Sequence, residues 1–122
     1  MDDGGDDRSP EDPKLPSHTA VTVSYETPGT CVIAARGEFD LGTVAPLSDA
    51  LAEAARSHSR VVLDASGISF GDSSLLNLLL QVHRITELRI AAPRHQLRHL
   101  FAITGADTVL DVRDTVPSAV ED

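Results

Sequence analysis

Apolar and polar residues alternate over 20–26 (Ala-Val-Thr-Val-Ser-Tyr-Glu), with β-branched side chains among them, which predicts a half-buried strand. Pro28-Gly29 suits the centre of a type II turn, and 31–36 (Cys-Val-Ile-Ala-Ala-Arg) reads as the second strand of a hairpin. Gly37-Glu38-Phe39-Asp40 closes that strand and leads into a helix over 41–57. There Val44, Leu47, Leu51, Ala54 and Ala55 recur at helical spacing, with Asp40 or Thr43 as the cap. The continuous apolar centre of 60–64 (Arg-Val-Val-Leu-Asp) predicts a parallel strand buried on both faces.

A connection over 67–72 precedes a leucine-rich helix over 73–85, and a further strand covers 87–92. Pro93 opens a third helix whose face is marked by Leu97, Leu100, Phe101 and Thr104, and Gly105 supplies its C-terminal cap. An edge strand over 109–113 and one or two helical turns over 115–121 complete the chain. Strands alternating with helices after a hairpin predict an α/β domain with one mixed sheet of four to five strands and three to four helices.

Composition changes this picture at the N-terminus. Residues 1–17 hold six of the 19 acidic residues, two basic residues and three of the seven prolines, with almost no apolar side chains. Such a segment cannot bury enough surface to offset its ordering entropy, so 1–17 is expected to be a disordered acidic tail and 18–122 the folded domain. The net charge of −9 lacks the basic excess of a nucleic-acid binder. No apolar run approaches the roughly 20 residues that span a bilayer. An acidic start without a signal-like apolar region makes a cytoplasmic location the expectation. Cys31 is the only cysteine, so neither an internal disulfide nor a Cys-based zinc site is expected.

Candidate chemistry concentrates at Phe70-Gly71-Asp72-Ser73-Ser74-Leu75-Leu76, where a strand turns into a helix. A helix start carries free N–H groups and the positive end of the dipole, so it tolerates an added anion. A serine there can be a nucleophile, a cap or a phosphate acceptor. Read as a cap, Asp72 is the N-cap and the serines merely favour the first turn.

This order of elements, with Asp-Ser-Ser opening the helix after the third strand, resembles the STAS domain, and more narrowly the anti-sigma factor antagonists of bacteria. The resemblance is carried by Gly37-Glu38-Phe39-Asp40, by Val61-Val62-Leu63-Asp64, by Ile68 through Ser74, and by Leu97 to Gly105 with its terminal Thr-Gly. It implies a non-enzymatic regulator that binds an anti-sigma factor serine kinase when unphosphorylated, freeing a sigma factor. Phosphorylation on Ser73, with Ser74 as second choice, would switch it off and a phosphatase would reset it. Asp40, Asp72 and Ser74 are the partner-binding residues the resemblance implies, Leu75 joins them because the helix has more leucines than one buried stripe requires, and no catalytic residue, cofactor or metal is implied. Leu75 stands where the family has glycine, so the alternative is a degenerate, non-phosphorylated STAS scaffold or partner-switching module. Most leucines of this helix are expected in the core, with one or two, Leu75 first, left on the surface beside Ser73.

Other chemistries fit less well. Phe-Gly-Asp-Ser is similar to the first block of Gly-Asp-Ser-Leu hydrolases, but Asp107, Asp111 and Asp114 have no histidine three places on, and no Gly-x-Asn-Asp follows. His95 and His99 share an i, i+4 spacing without a third ligand in view, which reads as a solvated helix face. Arg84, Arg89, Arg94 and Arg98 come without a Gly-rich phosphate loop and read as scattered surface charge.

Overall fold

The computed structural model describes residues 19–121. The tail expected over 1–17 lies outside the described residues. In chain order the elements are β1 (Ala20–Glu26), β2 (Thr30–Phe39), α1 (Ala45–Ser57), β3 (Arg60–Gly71), α2 (Ser73–His83), β4 (Glu87–Ala91), α3 (His95–Thr104), a 3-10 turn (Ala106–Thr108), β5 (Asp111–Arg113) and α4 (Val116–Val120). The five strands form one sheet in the order β1-β2-β3-β4-β5, with β1 antiparallel to β2 and the rest parallel.

The main core lies on one face of the sheet. There Ile33, Phe39, Val61, Leu63, Ile68, Leu88 and Ile90 meet the buried stripes of α1 (Leu47, Leu51, Ala54), α2 and α3 (Leu97, Phe101). On the opposite face, Val32, Val62 and Ala91 pack under Ala119, with Val116 and Val120 of α4 against them. The centre of β3 is therefore covered on both sides, as its apolar run predicts.

The hairpin turn differs from expectation. Among the described glycines only Gly37 and Gly105 have positive φ, so Gly29 does not form a type II turn. Thr27 closes the turn instead: its N–H donates to Thr30 O (2.8 Å) and its hydroxyl accepts from Thr30 N–H (3.1 Å). The segments 37–39 and 67–71, expected as connections, extend β2 and β3 because they pair with each other, Gly37 with Ile68, Glu38 with Phe70 and Phe39 with Gly71. Register shifts and the φ of 110° at Gly37 absorb the irregularity. β4 stops at Ala91 because Ala92 turns to φ 55°.

α1 begins at Ala45, later than expected, and Val44 caps it without a side-chain bond. Asp40 and Thr43 form their own turn: Asp40 N–H donates to Thr43 Oγ1 (2.9 Å), and Gly42 N–H to Asp40 Oδ1 (2.9 Å). Gly105 ends α3 at φ 79°, as expected of a C-terminal cap. Arg89 is not surface charge. It is buried beneath α4, donates to the Ala119 carbonyl (3.0 Å) and pairs with Glu87 (2.6 Å), which ties the last helix to the sheet.

Candidate functional site

The parallel pairing of Phe39 with Gly71 brings two chain segments to one end of the sheet. Asp40 stands one residue beyond β2, and Asp72 one residue beyond β3. Asp72 N–H donates to Phe39 O (3.3 Å), which joins the two ends. Adjacent strands lie about 4.8 Å apart, so the chain around Asp40 and the start of α2 are neighbours.

Asp72 is the N-cap of α2, as the capping reading expects. In extended backbone, its Oδ1 accepts from Ser74 N–H (2.8 Å) and Leu75 N–H (3.4 Å). Ser73 is the first helical residue; it is exposed, and its hydroxyl makes no hydrogen bond among the described residues. Asp72 therefore holds the helix start without using the Ser73 hydroxyl, which has no partner among the described residues. Ser74 is half-buried, and Asp40 is exposed. No histidine reaches the Ser73 hydroxyl among the described residues, so the general base of a serine hydrolase is not in place there.

Leu75 contradicts its expected surface position. Its side chain is fully buried, so it is not part of a partner-binding surface as folded. The physical reason is Gly71: a Cβ built there would lie 2.4 Å from Leu75 Cδ2 and 2.8 Å from Leu97 Cδ2. The missing side chain at Gly71 makes room for Leu75 to turn inward. The apolar surface at this end comes instead from Leu41, 80 % exposed, and Phe70, 43 % exposed. The sequence signal was available: Leu41 follows directly on Asp40, and Phe70 directly precedes Gly-Asp-Ser-Ser.

Gln96 was also missed. From α3 it reaches the end of β3 just before Ser73, accepting from Gly71 N–H through Oε1 and donating to Gly71 O through Nε2, both at 2.8 Å. Its signal was a polar side chain beside Leu97 on the inner half of the helix. The His95 and His99 rings stack with centroids 6.5 Å apart on an exposed face. Among the described residues no helix is long and apolar enough to cross a membrane.

A family model described as "Mlab, STAS domain" matches residues 23–112. Among solved structures, the crystal structure of an anti-sigma factor antagonist from Mycobacterium paratuberculosis is 26 % identical with a TM-score of 0.75, covering 87 % of this chain and 94 % of its own. The anti-sigma factor antagonist SpoIIAA in its unphosphorylated form is 22 % identical with a TM-score of 0.70, covering 83 % and 93 %. The Bacillus cell fate determinant SpoIIAA in the phosphorylated form is 22 % identical with a TM-score of 0.64, covering 83 % and 96 %. No curated protein matches the chain.

Proposed function

The chain belongs to the STAS domain family, and we propose that it is a bacterial anti-sigma factor antagonist governed by one hydroxyl. Unmodified, it binds an anti-sigma factor that is also a serine kinase and so frees a sigma factor for transcription. Phosphorylation on Ser73 releases that partner, and a phosphatase resets the switch. It acts in the cytoplasm as a binding protein rather than an enzyme, without nucleic acid or membrane among its partners.

The observation that carries this reading is the exposed hydroxyl of Ser73 on the first residue of α2, without a partner among the described residues. A phosphate there adds about −1.5 to −2 charges. Within the domain the positive end of α2 offsets part of that charge, so modification leaves the fold intact. At a docked surface the same dianion, beside Asp72 and near Asp40, loses its water without gaining a cation. Burying such a group unpaired costs several kcal/mol, and about 1.4 kcal/mol is already tenfold in affinity. The exposed Leu41 and Phe70 supply the apolar contact that the unmodified state offers. Likeness to an anti-sigma factor antagonist, and to SpoIIAA solved in unphosphorylated and phosphorylated forms, supports the reading. The scaffold alternative drew on Leu75, whose inward side chain leaves the outer face of the helix start unobstructed.

Incubation with an anti-sigma serine kinase and ATP, followed by mass spectrometry, tests the assignment. One phosphate on the peptide containing Ser73 is expected, absent in Ser73→Ala and retained in Ser74→Ala. A phosphate on Ser74, or none with an active kinase, overturns it.

A further inference from the structure

At the other end of β2, roughly 25 Å along the strand from the acceptor loop, three side chains from three segments converge. Glu26 and Cys31 face each other across the β1–β2 hairpin, and His58 caps the C-terminus of α1. Their ligand atoms all lie within 4.8 Å of one another. We propose that Glu26, Cys31 and His58 form a binding site for a zinc-class divalent cation, with a fourth coordination position open to a water or small anionic ligand.

The donor set points to that class of ion. A thiolate and an imidazole are poor ligands for calcium or magnesium and good ones for zinc. The imidazole is already oriented. His58 Nδ1 lies 3.1 Å from the Ala54 carbonyl, which only accepts, so Nδ1 carries the proton and Nε2 faces the other two ligands. Tying one ring nitrogen to a carbonyl while the other meets the metal is the usual outer-shell arrangement of a histidine ligand. His58 Nε2 lies 2.8 Å from Glu26 Oε2, so the two ligand atoms already face each other. Metal binding replaces the thiol proton of Cys31, which is released to buffer. Burial, and secondarily the Glu26 carboxylate, push the Cys31 thiol up, so the protonated thiol is the form the metal must displace.

The backbone holds the three segments together independently of any ion. Arg60 N–H (3.0 Å) and Ser59 Oγ (3.1 Å) both donate to Gly29 O, which fastens the α1–β3 loop to the hairpin turn. Tetrahedral zinc with ligands at about 2.0–2.3 Å places ligand atoms about 3.5 Å apart. Glu26 Oε2 and His58 Nε2, now 2.8 Å apart, must open by about 0.7 Å to reach that spacing, and no pair, at 4.8 Å or less, must close by more than about 1.3 Å. A cleft of about 180 Å³ opens onto the three ligands between β1 and α1, bordered by Val23, Ala50 and Glu53. It gives the fourth position access from solvent. The single cysteine excludes a zinc site of several cysteines, but it supplies one thiolate to a mixed one; the sequence reading, which implied no metal, did not bring these three residues together.

Cobalt(II) is the probe, because its spectrum reports thiolate ligation and Cys31 is the only thiol in the chain. Titration of the full chain with cobalt(II) should give a thiolate-to-cobalt charge-transfer band saturating at one equivalent and bleached by zinc(II). Cys31→Ser should abolish the band. Glu26→Gln and His58→Gln should each weaken binding at least about tenfold. Thermal melts without metal establish that each variant folds; Glu26→Gln, at the surface, serves if the others do not. No charge-transfer band with the folded wild type, or one of unchanged affinity in folded Glu26→Gln, overturns the site.

Discussion

Replacing Gly71 with alanine sets a methyl group where Leu75 and Leu97 already stand. The added Cβ lies 2.4 Å from Leu75 Cδ2 and 2.8 Å from Leu97 Cδ2, well inside contact distance. Both leucines are fully buried, so they cannot retreat without displacing their own neighbours. Overpacking of this kind costs about 1–3 kcal/mol. Leu75→Ala alone leaves a cavity and costs about 2–5 kcal/mol. In the double variant the new methyl enters the vacated space, so the combined loss should fall short of the sum by about 1–2 kcal/mol. Equilibrium urea unfolding of the four proteins, followed by circular dichroism, measures this coupling from the midpoints at a common slope. Strict additivity would refute the packing of Leu75 against Gly71. It would also reopen Leu75 as a surface residue, the position its place in the sequence suggests.

Gln96→Ala removes both hydrogen bonds to the Gly71 backbone; it should destabilise by about 1–3 kcal/mol and speed amide exchange at Gly71, whereas unchanged exchange would deny it a role in holding the chain before Ser73. Leu41→Ser should shift stability by no more than about 0.5 kcal/mol yet weaken binding to the anti-sigma kinase at least about tenfold; an unchanged Kd by calorimetry would remove Leu41 from the interface. Hydrogen bonds from Arg113, outweighing burial and aided by the charges of Arg113, Arg89 and His83, hold the Asp111 carboxyl below its ordinary range. Its stabilising effect is therefore present above about pH 4 and lost as pH falls through the lower folded value. Asp111→Asn should flatten the fall in Tm from about pH 5 to about pH 2, and parallel curves for the two proteins would contradict this.

Local patterns made most of the architecture legible. β1 has the bounds that its alternation predicts, and the Gly105 cap and the doubly covered β3 follow from short stretches of sequence. What escaped is long-range. The extensions of β2 and β3 exist because Gly37–Phe39 pairs with Ile68–Gly71, some 30 residues away, and neither segment reads as a strand alone. The cap Asp72 and the exposed place of Ser73, the proposed acceptor, at a helix start were visible in the sequence. The orientation of Leu75 was not, because 75–80 carries five leucines and helical period alone cannot rank them. The inward choice is made by the glycine at 71 and by α3, as is the Gln96 clamp. Arg89 looked like surface charge because α4, which covers it, folds back from the far end of the chain.

The affinity of the anti-sigma kinase for the chain before and after stoichiometric phosphorylation on Ser73 bears most directly on the switch. With Ser73→Ala as the unmodifiable control, calorimetry should show tight binding of both unmodified forms and at least about a hundredfold loss for the phosphorylated chain, from a penalty of several kcal/mol. Unchanged melting and far-ultraviolet spectra of the modified chain should accompany that loss. Equal affinity of the two forms, or a loss that tracks unfolding of α2, would contradict the account.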